Sequence, residues 1–282
     1  METLTTIAAV RDAVRAARSR GERVALVPTM GALHDGHVAL VDAAREHADT
    51  VIVSIFVNPM QFGPREDLSR YPRDLDADRA RLAEAGVAAV FAPTADEMYP
   101  SGATSPTIVT AGHLGTVLEG RSRPGHYDGV LTVVSKLLHI VGPDVACFGE
   151  KDAQQLFLVQ RMARDLDMPV EIVGVPTVRD VDGLALSSRN RFLSDHDRRT
   201  ALNLSRALEA AGSSADRGVE AMIAAAQGVI QSNTGVQLDY LAVVDPATFA
   251  FVGEAHHGSV QVLVAARVGD VRLIDNATYA IP

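Results

Sequence analysis

Short apolar runs alternate with longer amphipathic stretches over the first two-thirds of the chain. Each apolar run is almost continuously hydrophobic and predicts a β-strand; the runs are residues 23–28, 50–57, 87–93, 144–149 and 170–178. Between them, apolar residues recur at helical spacing and predict helices; these stretches are 37–48, 74–85, 127–141 and 152–166. Buried strands that alternate with helices are typical of a parallel sheet covered on both faces. The pattern therefore predicts an α/β fold with a Rossmann-like, doubly wound parallel sheet.

The pattern changes in the last third of the chain. Ser194 begins a capping-box-like sequence and predicts a helix that ends at Gly212, and a second helix is predicted over 216–231. Short strands are predicted at 237–245, 260–269 and 270–276. Gly269 and Asp270 separate two of these runs and predict a hairpin turn. These elements indicate a smaller α+β domain.

Size and composition agree with two domains. The chain has 282 residues, of which 47% are hydrophobic, which suits one large domain or one domain with a smaller companion. We therefore predict a Rossmann-like domain over 1–178 and a smaller C-terminal domain over 179–282. The net charge of −9 argues against a nucleic-acid partner, which usually requires a basic face.

Targeting and redox signals are few. The N-terminal stretch lacks the apolar core of a signal peptide, and the longest apolar run, 51–57, is too short to span a bilayer. Cys147 is the only cysteine, which excludes an intrachain disulfide and fits a reducing compartment. We predict a soluble cytoplasmic protein with no membrane partner.

The first candidate for chemistry is "MGALHDGH", residues 30–37, between the first predicted strand and its helix. Ligands of doubly wound sheets bind beyond the carboxyl ends of the strands. Gly31 and Gly36 permit unusual dihedral angles and a close approach of backbone to ligand. The helix N-terminus, together with His34 and His37, offers donors to phosphate oxygens. The alternative is two ordinary histidines, one of which caps the helix.

A second candidate is "FGEKDAQQL", residues 148–156, which also follows a predicted strand. Only Lys136 and Lys151 among the 26 basic residues are lysines, so a lysine at a strand end is informative. Lys151 carries a compact positive charge suited to phosphate. Asp152 and Gln155 can bind a polar substrate. The alternative is a solvated helix start, where acidic residues suit the helix dipole.

Two further clusters carry polar groups. "GLALSSRN", residues 183–190, combines Ser187, Ser188 and Arg189, which suit phosphate recognition. "FVNPMQFG", residues 56–63, contains Asn58 and Gln61, whose neutral amides suit a hydroxy-acid; an Asn-Pro turn is the alternative for Asn58.

These clusters resemble a known family. The His-x-Gly-His sequence resembles the nucleotidylyltransferase superfamily, and neither a P-loop nor a dinucleotide fingerprint is present. Seven motifs in order resemble the pantothenate synthetase, or pantoate–β-alanine ligase, family; they are "VPTMGALHDGH", "VSIFVNPMQFG", "DLSRYPRD", "LEGRSRPGHYDGV", "FGEKDAQQL", "GLALSSRN" and "RLIDN".

The resemblance implies an activity. Members condense (R)-pantoate with β-alanine at the expense of ATP, giving pantothenate, AMP and pyrophosphate through an enzyme-bound pantoyl adenylate. It further implies Mg²⁺, a cytoplasmic homodimer and a C-terminal domain that closes over the ATP site. The alternatives are another nucleotidylyltransferase, an aminoacyl-tRNA synthetase core and a nucleotide-binding regulator without catalysis.

The resemblance also implies roles for individual residues. His37 is the catalytic histidine, and we add His34, Lys151 and Arg189 as groups that stabilise the departing pyrophosphate. The residues implied to contact ATP are Met30, Gly31, His34, Gly36, His37, Gly149, Glu150, Lys151, Asp152, Val178, Leu186, Ser187, Ser188 and Arg189. The residues predicted to bind the other substrates are Asn58, Gln61, Arg123 and Gln155, with His126 and Arg123 equally compatible with a structural turn.

Three positions depart from the family pattern. Ala153 stands where an aromatic residue is common, and Leu186 replaces a usual Met of similar volume. Ala77 stands where some relatives have an acid beside Asp78, so the protein ligands of Mg²⁺ are unknown. Asp74, Asp76 and Asp78 are also interpreted as helix N-terminal residues. Segment 58–72 is predicted to be a lid and 101–106 a loop.

Overall fold

The computed structural model describes residues 1–63, 68, 71–102 and 107–282. Most of the predicted loop 101–106 and part of the predicted lid 58–72 therefore lie outside the described residues. The chain divides into two compact units: the first contains 1–150 and 154–176, and the second contains 151–153 and 177–282.

The first unit is built on a six-stranded parallel sheet of order β1-β4-β3-β2-β5-β6. Its strands are β1 (Glu2–Leu4), β2 (Val24–Thr29), β3 (Thr50–Ile55), β4 (Ala89–Phe91), β5 (Val145–Gly149) and β6 (Glu171–Val175). Its helices are α1 (Ile7–Ser19), α2 (Asp35–His47), α3 (Leu75–Glu84), α4 (Ala95–Met98), α5 (Glu119–Ser122), α6 (His126–Val141) and α7 (Ala153–Asp165, whose first residue belongs to the second unit). The predicted α/β class and the parallel sheet are confirmed.

Alternation of side chains along the strands gives this sheet a core on each face. Leu26 and Ile52 belong to one buried cluster, whereas Val27 and Val53 belong to another. Successive strand residues point to opposite faces, so a continuous apolar run supplies both layers. Burial of each such side chain contributes about 1.5–3 kcal/mol.

The second unit has two long helices and a three-stranded antiparallel sheet of order β7-β8-β9. Its elements are α8 (Asp195–Gly212), α9 (Val219–Gln231), β7 (Val236–Val244), β8 (Gly258–Val268) and β9 (Val271–Ile281). The Ser194 side chain accepts a hydrogen bond from the Asp197 N–H, as the capping-box-like sequence predicts. The predicted hairpin turn at Gly269 and Asp270 joins β8 to β9.

The sequence predictions missed one strand and shortened another. β1 has only three residues and pairs with β4 at the sheet edge, so it carries too few positions to show a period. β9 continues to Ile281, beyond the predicted end at 276. None of the helices in the described part of the chain is both long and apolar enough to cross a membrane.

Candidate active site

The histidine loop leaves β2 by a backbone path that few residues can follow. Gly31 and Ala32 have φ angles of +83° and +53°, in the left-handed region. A Cβ at Gly31 would lie 2.8 Å from Asp78 Oδ2 and 3.2 Å from Ile55 Cγ2. Gly31 is therefore required both by its dihedral angle and by the close approach of Asp78.

Asp78 holds this loop from the side. It is 5% exposed, its Oδ2 accepts from the Ala32 N–H at 3.0 Å, and its Oδ1 accepts from the Leu33 N–H at 2.8 Å. Hydrogen bonds to a carboxylate are stronger than those between neutral groups. Asp74 is the residue that caps α3, by accepting from the Ala77 N–H at 3.0 Å. Asp78 lies in the first turn of α3, as predicted, and its carboxylate in addition holds the histidine loop.

His34 and His37 cap α2 reciprocally. The His34 Nδ1 accepts from the Gly36 N–H at 3.2 Å, and the His37 Nδ1 accepts from the His34 N–H at 3.2 Å. The ring centroids lie 4.1 Å apart with an interplanar angle of 47°. This is a capping box made by two imidazoles in place of a hydroxyl and a carboxylate.

The capping arrangement also selects a tautomer for each imidazole. A ring nitrogen that accepts a hydrogen bond carries no proton, so in the neutral form the proton is on the other nitrogen. Both histidines are therefore Nε2–H donors, and each ring is held by its Nδ1. The capping role and a phosphate-binding role use different atoms of the same side chain.

The backbone donors of this loop need a correction. We expected the helix N-terminus to present its amides to phosphate, but the amides of Ala32, Leu33, His34 and Gly36 already have acceptors in the protein. Gly36 lies within the first turn of α2, so the expected unusual dihedral angle occurs at Gly31 and not there. The imidazole Nε2–H groups of His34 and His37 are the candidate phosphate donors of this loop. Met30 precedes this loop and is half-buried.

Asn58 shapes the turn after β3. It has no exposed surface, its Nδ2 donates to the Gly129 carbonyl at 3.1 Å, and its Oδ1 accepts from the Tyr99 hydroxyl at 2.8 Å. A Cβ at Gly129 would lie 2.1 Å from the Met60 carbonyl oxygen, so only glycine permits this approach of α6. Asn58 also accepts from the Met60 N–H at 3.3 Å and caps the following 3₁₀ turn, which confirms the Asn-Pro turn alternative; its contact with a substrate stays a prediction.

Gln61 ends the short 3₁₀ turn that Asn58 begins. It is 7% exposed, and its Oε1 is buried without a hydrogen-bond partner. A buried acceptor without a donor costs about 1–3 kcal/mol, so such groups are few in folded proteins and each needs an explanation. The turn therefore carries an amide whose oxygen is suited to a ligand hydroxyl or amine.

Arg123 and His126 meet the backbone of Gln61. The His126 Nδ1 lies 2.9 Å from the Gln61 carbonyl oxygen and its Nε2 lies 2.8 Å from Arg123 Nη1. A carbonyl oxygen only accepts, so Nδ1 carries the proton and Nε2 accepts from the guanidinium. The structure thus brings together Gln61, Arg123 and His126, and gives the last a structural role.

The turn after β5 contains Lys151. Gly149 ends the strand, and Glu150–Asp152 form one 3₁₀ turn that leads into α7. Lys151 and Asp152 are both half-buried and belong to the second unit, whereas Gly149 and Glu150 belong to the first. The Lys151 carbonyl oxygen accepts from Asn276 Nδ2 at 2.9 Å.

Two adjacent glutamines in α7 have different environments. Gln154 is 4% exposed; its Oε1 accepts from the Glu119 N–H at 3.1 Å, and its Nε2 donates to the Leu114 carbonyl at 2.7 Å. Gln155 is half-buried. The sequence shows two identical neighbours, and only burial separates the structural glutamine from the candidate ligand-binding one. Ala153, at the predicted aromatic position, is buried.

The "LALSSRN" segment follows a short hairpin of the second unit. The Leu186 N–H donates to the Val178 carbonyl at 2.9 Å, which closes the hairpin. Ser187 then caps a 3₁₀ turn by accepting from the Arg189 N–H at 3.2 Å. Ser188 is half-buried and Arg189 is exposed. Ser187 and Lys151 line one small cavity of this unit.

No cluster of three or more histidine, cysteine or acidic residues suited to a metal occurs in the described ranges. Asp78, beside the position where some relatives have an acid, already accepts two loop amides. The residues present therefore do not fit a magnesium site built by protein carboxylates.

Known proteins resemble this chain over nearly its whole length. Residues 2–278 match the family model described as pantoate-beta-alanine ligase. The pantothenate synthetase of Thermobifida fusca is 54% identical over 278 residues, which are 96% of this chain and 94% of that protein.

Solved structures agree with this similarity. A crystal structure of pantothenate synthetase from Thermus thermophilus superposes with a TM-score of 0.91 at 48% identity and covers 98% of this chain and 99% of that one. Pantoate-beta-alanine ligase from Francisella tularensis, solved in complex with beta-gamma ATP and β-alanine, has a TM-score of 0.80 at 34% identity and covers 98% and 97%. The chain therefore belongs to the pantoate–β-alanine ligase family.

Proposed function

We propose that the chain condenses (R)-pantoate with β-alanine, consuming ATP and releasing pantothenate, AMP and pyrophosphate. Family membership favours this reaction over the alternatives of transfer to a phosphate acceptor, aminoacylation of tRNA or nucleotide binding without chemistry. The observation that carries the residue assignment is the reciprocal capping of His34 and His37, which makes both imidazoles Nε2–H donors.

In the first step a pantoate carboxylate oxygen attacks the α-phosphorus of ATP. An O–P bond forms to pantoate, the bond between the α-phosphorus and the bridging oxygen breaks, and pyrophosphate leaves with that electron pair. Catalysis of such a step is mainly positioning and stabilisation of charge. We assign the charge stabilisation to His34, His37, Lys151 and Arg189, each of which donates to phosphate oxygens. One well-placed donor contributes about 3–4 kcal/mol to such a transition state.

In the second step the amine of β-alanine attacks the carbonyl carbon of the pantoyl adenylate. The C–N bond forms, the carbonyl C–O bond to AMP breaks, and the amine releases a proton. Since an alkyl amine has a pKa of about 10, it must lose one proton before or during attack to be nucleophilic. The pantoyl adenylate must remain protected from water between the two steps.

The carboxylic and hydroxyl groups of the substrates fit the residues near Gln61. The unpartnered Oε1 of Gln61 accepts from a pantoate hydroxyl or from the β-alanine amine. Gln155 adds a second amide for pantoate. We assign the cation of Arg123 to a substrate carboxylate, since guanidinium groups pair with carboxylates in a fork geometry.

The remaining ATP contacts are assigned to two segments. Gly149 to Asp152 supply the turn that carries Lys151, and Val178 with Leu186 to Ser188 supply the hairpin before Arg189. Met30 and Gly31 border the nucleotide on the histidine loop. Because the protein carboxylates do not fit a metal site within the described ranges, we propose that Mg²⁺ enters as part of the ATP substrate, held by its phosphates and water.

The assembly and the compartment belong to the same proposal. We propose a homodimer in the cytoplasm, with nucleotide- and pantoate-binding residues in the larger unit and further ATP-binding residues in the smaller one. Analytical ultracentrifugation of the full chain tests the first point, since a monomer across the concentration range would contradict it.

The decisive experiment separates the two steps. The protein is incubated with ATP, Mg²⁺ and pantoate, with and without β-alanine, and products are identified by mass. Pyrophosphate exchange without β-alanine, and pantothenate with it, is the expected result. Exchange only in the presence of β-alanine would contradict a stable adenylate intermediate.

His37→Ala and Lys151→Ala test the residue assignment. Each is expected to lower turnover at least about 100-fold while the protein remains folded by circular dichroism. His47→Ala, at the other end of α2, is the matched control and should keep normal turnover. A folded His37→Ala variant with near-normal turnover would remove His37 from the mechanism.

A further inference from the structure

Two polar residues of β9 have no role in the reaction proposed above. Asp275 and Asn276, from the "RLIDN" sequence, are only 4% and 7% exposed. A carboxylate and an amide are costly to bury unless their hydrogen bonds are satisfied. The hydrogen-bond partners of Asp275 and Asn276 therefore explain how these polar side chains are tolerated in a buried strand.

Asn276 contacts the turn that carries Lys151. Its Nδ2 donates to the Lys151 carbonyl at 2.9 Å, and its Oδ1 accepts from Gln261 Nε2 at 3.1 Å. The Gln261 amide is a donor, so it must face the Asn276 oxygen, and the Lys151 carbonyl is an acceptor, so it must face the Asn276 nitrogen. The side-chain amide of Asn276 therefore has one orientation only. The contact joins residues 125 positions apart in the sequence.

Asp275 contacts the hairpin that leads to Ser187. Its two oxygens accept from Arg179 Nη1 and Nη2 at 2.6 and 2.9 Å. Arg179 Nη1 also donates to the Gly183 carbonyl at 3.1 Å, inside the hairpin loop. The hydrogen bonds that Arg179 donates to the Asp275 carboxylate raise the pKa of Arg179, so the guanidinium stays charged at all ordinary pH values.

The two contacts converge on one place in the second unit. Asp275, Lys151 and Ser187 line the same small cavity. Asn276 is also tied to its neighbour, since its N–H donates to Asp275 Oδ1 at 2.8 Å. This bond fixes the Asp275 carboxylate against the backbone that carries Asn276.

We propose that Asp275 and Asn276 are positioning residues for the phosphate-binding groups of this unit. Asn276 holds the backbone of Lys151, and Asp275 holds, through Arg179, the hairpin before Ser187. The inference rests on the proposed function, because it assigns Lys151 to the phosphates of ATP. Because the side chains of both residues are bonded within the protein, we place their effect on catalysis in the position of Lys151 and of the hairpin.

Asn276→Leu tests the contact with Lys151, since leucine has a similar size and no donor. We expect kcat for pantoate-dependent pyrophosphate exchange to fall about 10-fold, with the KM for ATP changing less than about 2-fold, because misplacement of a charge acts mainly on the transition state. Val264→Ala is the control: Val264 is fully buried in β8 and pairs with Asp275 in the sheet. It should lower the melting temperature and leave kcat unchanged.

A double-mutant cycle separates positioning from general destabilisation. In a Lys151→Ala background, Asn276→Leu should change kcat by less than about 2-fold, because the group that it positions is gone. An equal 10-fold loss in both backgrounds would overturn the inference, as would normal kcat in the single variant. If Lys151→Ala alone kept full activity, the proposed role of Lys151 would fail instead.

Gln261→Met tests the same inference if the Asn276→Leu variant does not fold. It removes the donor that orients Asn276 and leaves the Lys151 contact atoms in place. We expect about a 3-fold fall in kcat that disappears in the Lys151→Ala background. The same fall in both backgrounds would overturn the inference.

Discussion

Replacement of Asp78 by asparagine should destabilise the histidine loop and slow the first step of the proposed reaction. The carboxylate accepts two N–H groups, at 3.0 Å from Ala32 and 2.8 Å from Leu33, in a site that is 5% exposed. Each hydrogen bond to a buried charge contributes about 1.5–3 kcal/mol. Asparagine keeps one oxygen that can accept from one of these N–H groups. Its NH2 group, which is a donor, faces the other N–H, so that N–H loses its acceptor.

The expected loss in the free energy of unfolding is about 3 kcal/mol, from one charge-assisted bond lost and one N–H left unpaired. For a chain of this size that corresponds to a fall in Tm of about 6–12 °C. Since the loop leads directly into His34 and His37, a shift of about 1 Å should also lower kcat for pyrophosphate exchange by about 10- to 100-fold.

Asp74→Asn is the matched control for this experiment. Asp74 lies at the start of the same helix, so the same Asp-to-Asn change can be made there. It is exposed, and its carboxylate accepts from the Ala77 N–H. Asparagine is as good an N-cap as aspartate, so its effect should be a few tenths of a kcal/mol. Thermal unfolding and exchange kinetics are measured on both variants. Equal melting temperatures and equal kcat for the two would refute the role given to Asp78.

Three further predictions follow from the same first unit. Gly31→Ala should cost more stability than Gly21→Ala, because both have positive φ but only Gly31 has neighbours within 3.2 Å; equal changes in Tm would contradict the close-approach argument. Gln61→Met should raise the KM for pantoate at least about 10-fold with no loss in Tm, because Oε1 has no partner to lose in the protein; normal KM would remove Gln61 from the substrate site. Burial raises the pKa of Tyr99 to about 12, so its hydroxyl should remain protonated while exposed tyrosines ionise near pH 10. Because the pKa of Tyr99 is higher in the folded than in the unfolded protein, the protonated hydroxyl contributes its full stabilisation below about pH 10 and loses it between about pH 10 and 12. Ultraviolet titration of the wild type and of Tyr99→Phe measures this pKa. Ionisation of Tyr99 near pH 10 would contradict the prediction.

The elements of the parallel sheet were predictable because their signal is local. A strand such as β2 is buried on both faces, so its whole sequence is apolar and no tertiary information is needed to identify it. The hairpin turn at Gly269 and Asp270 was predictable for the same reason, since the turn residues and both flanking strands are adjacent in sequence. β1 escaped prediction because three residues show no period.

Individual site residues were harder to interpret than the motifs that contain them. Asn58 and Gln61 occur within one turn and have the same functional group, yet only Gln61 keeps an acceptor without a partner. Gln154 and Gln155 are adjacent, yet Gln154 is buried and Gln155 only half-buried. Burial and partner choice depend on segments far away in the chain, which a local pattern does not contain.

The sequence by itself determined the fold class, the alternation of strands β2 to β6 with helices and the strand ends at which the histidine and lysine motifs lie, since these follow from hydrophobic period and turn chemistry within short windows. Only the tertiary structure decided which atoms of those motifs are used internally. Asp78 lies 45 positions along the chain from Leu33, whose N–H it binds, and Asn276 lies 125 positions from Lys151, whose carbonyl it binds. Such pairings form because a buried polar group must find a partner wherever the packed chain places one, and no periodicity in the sequence records that choice.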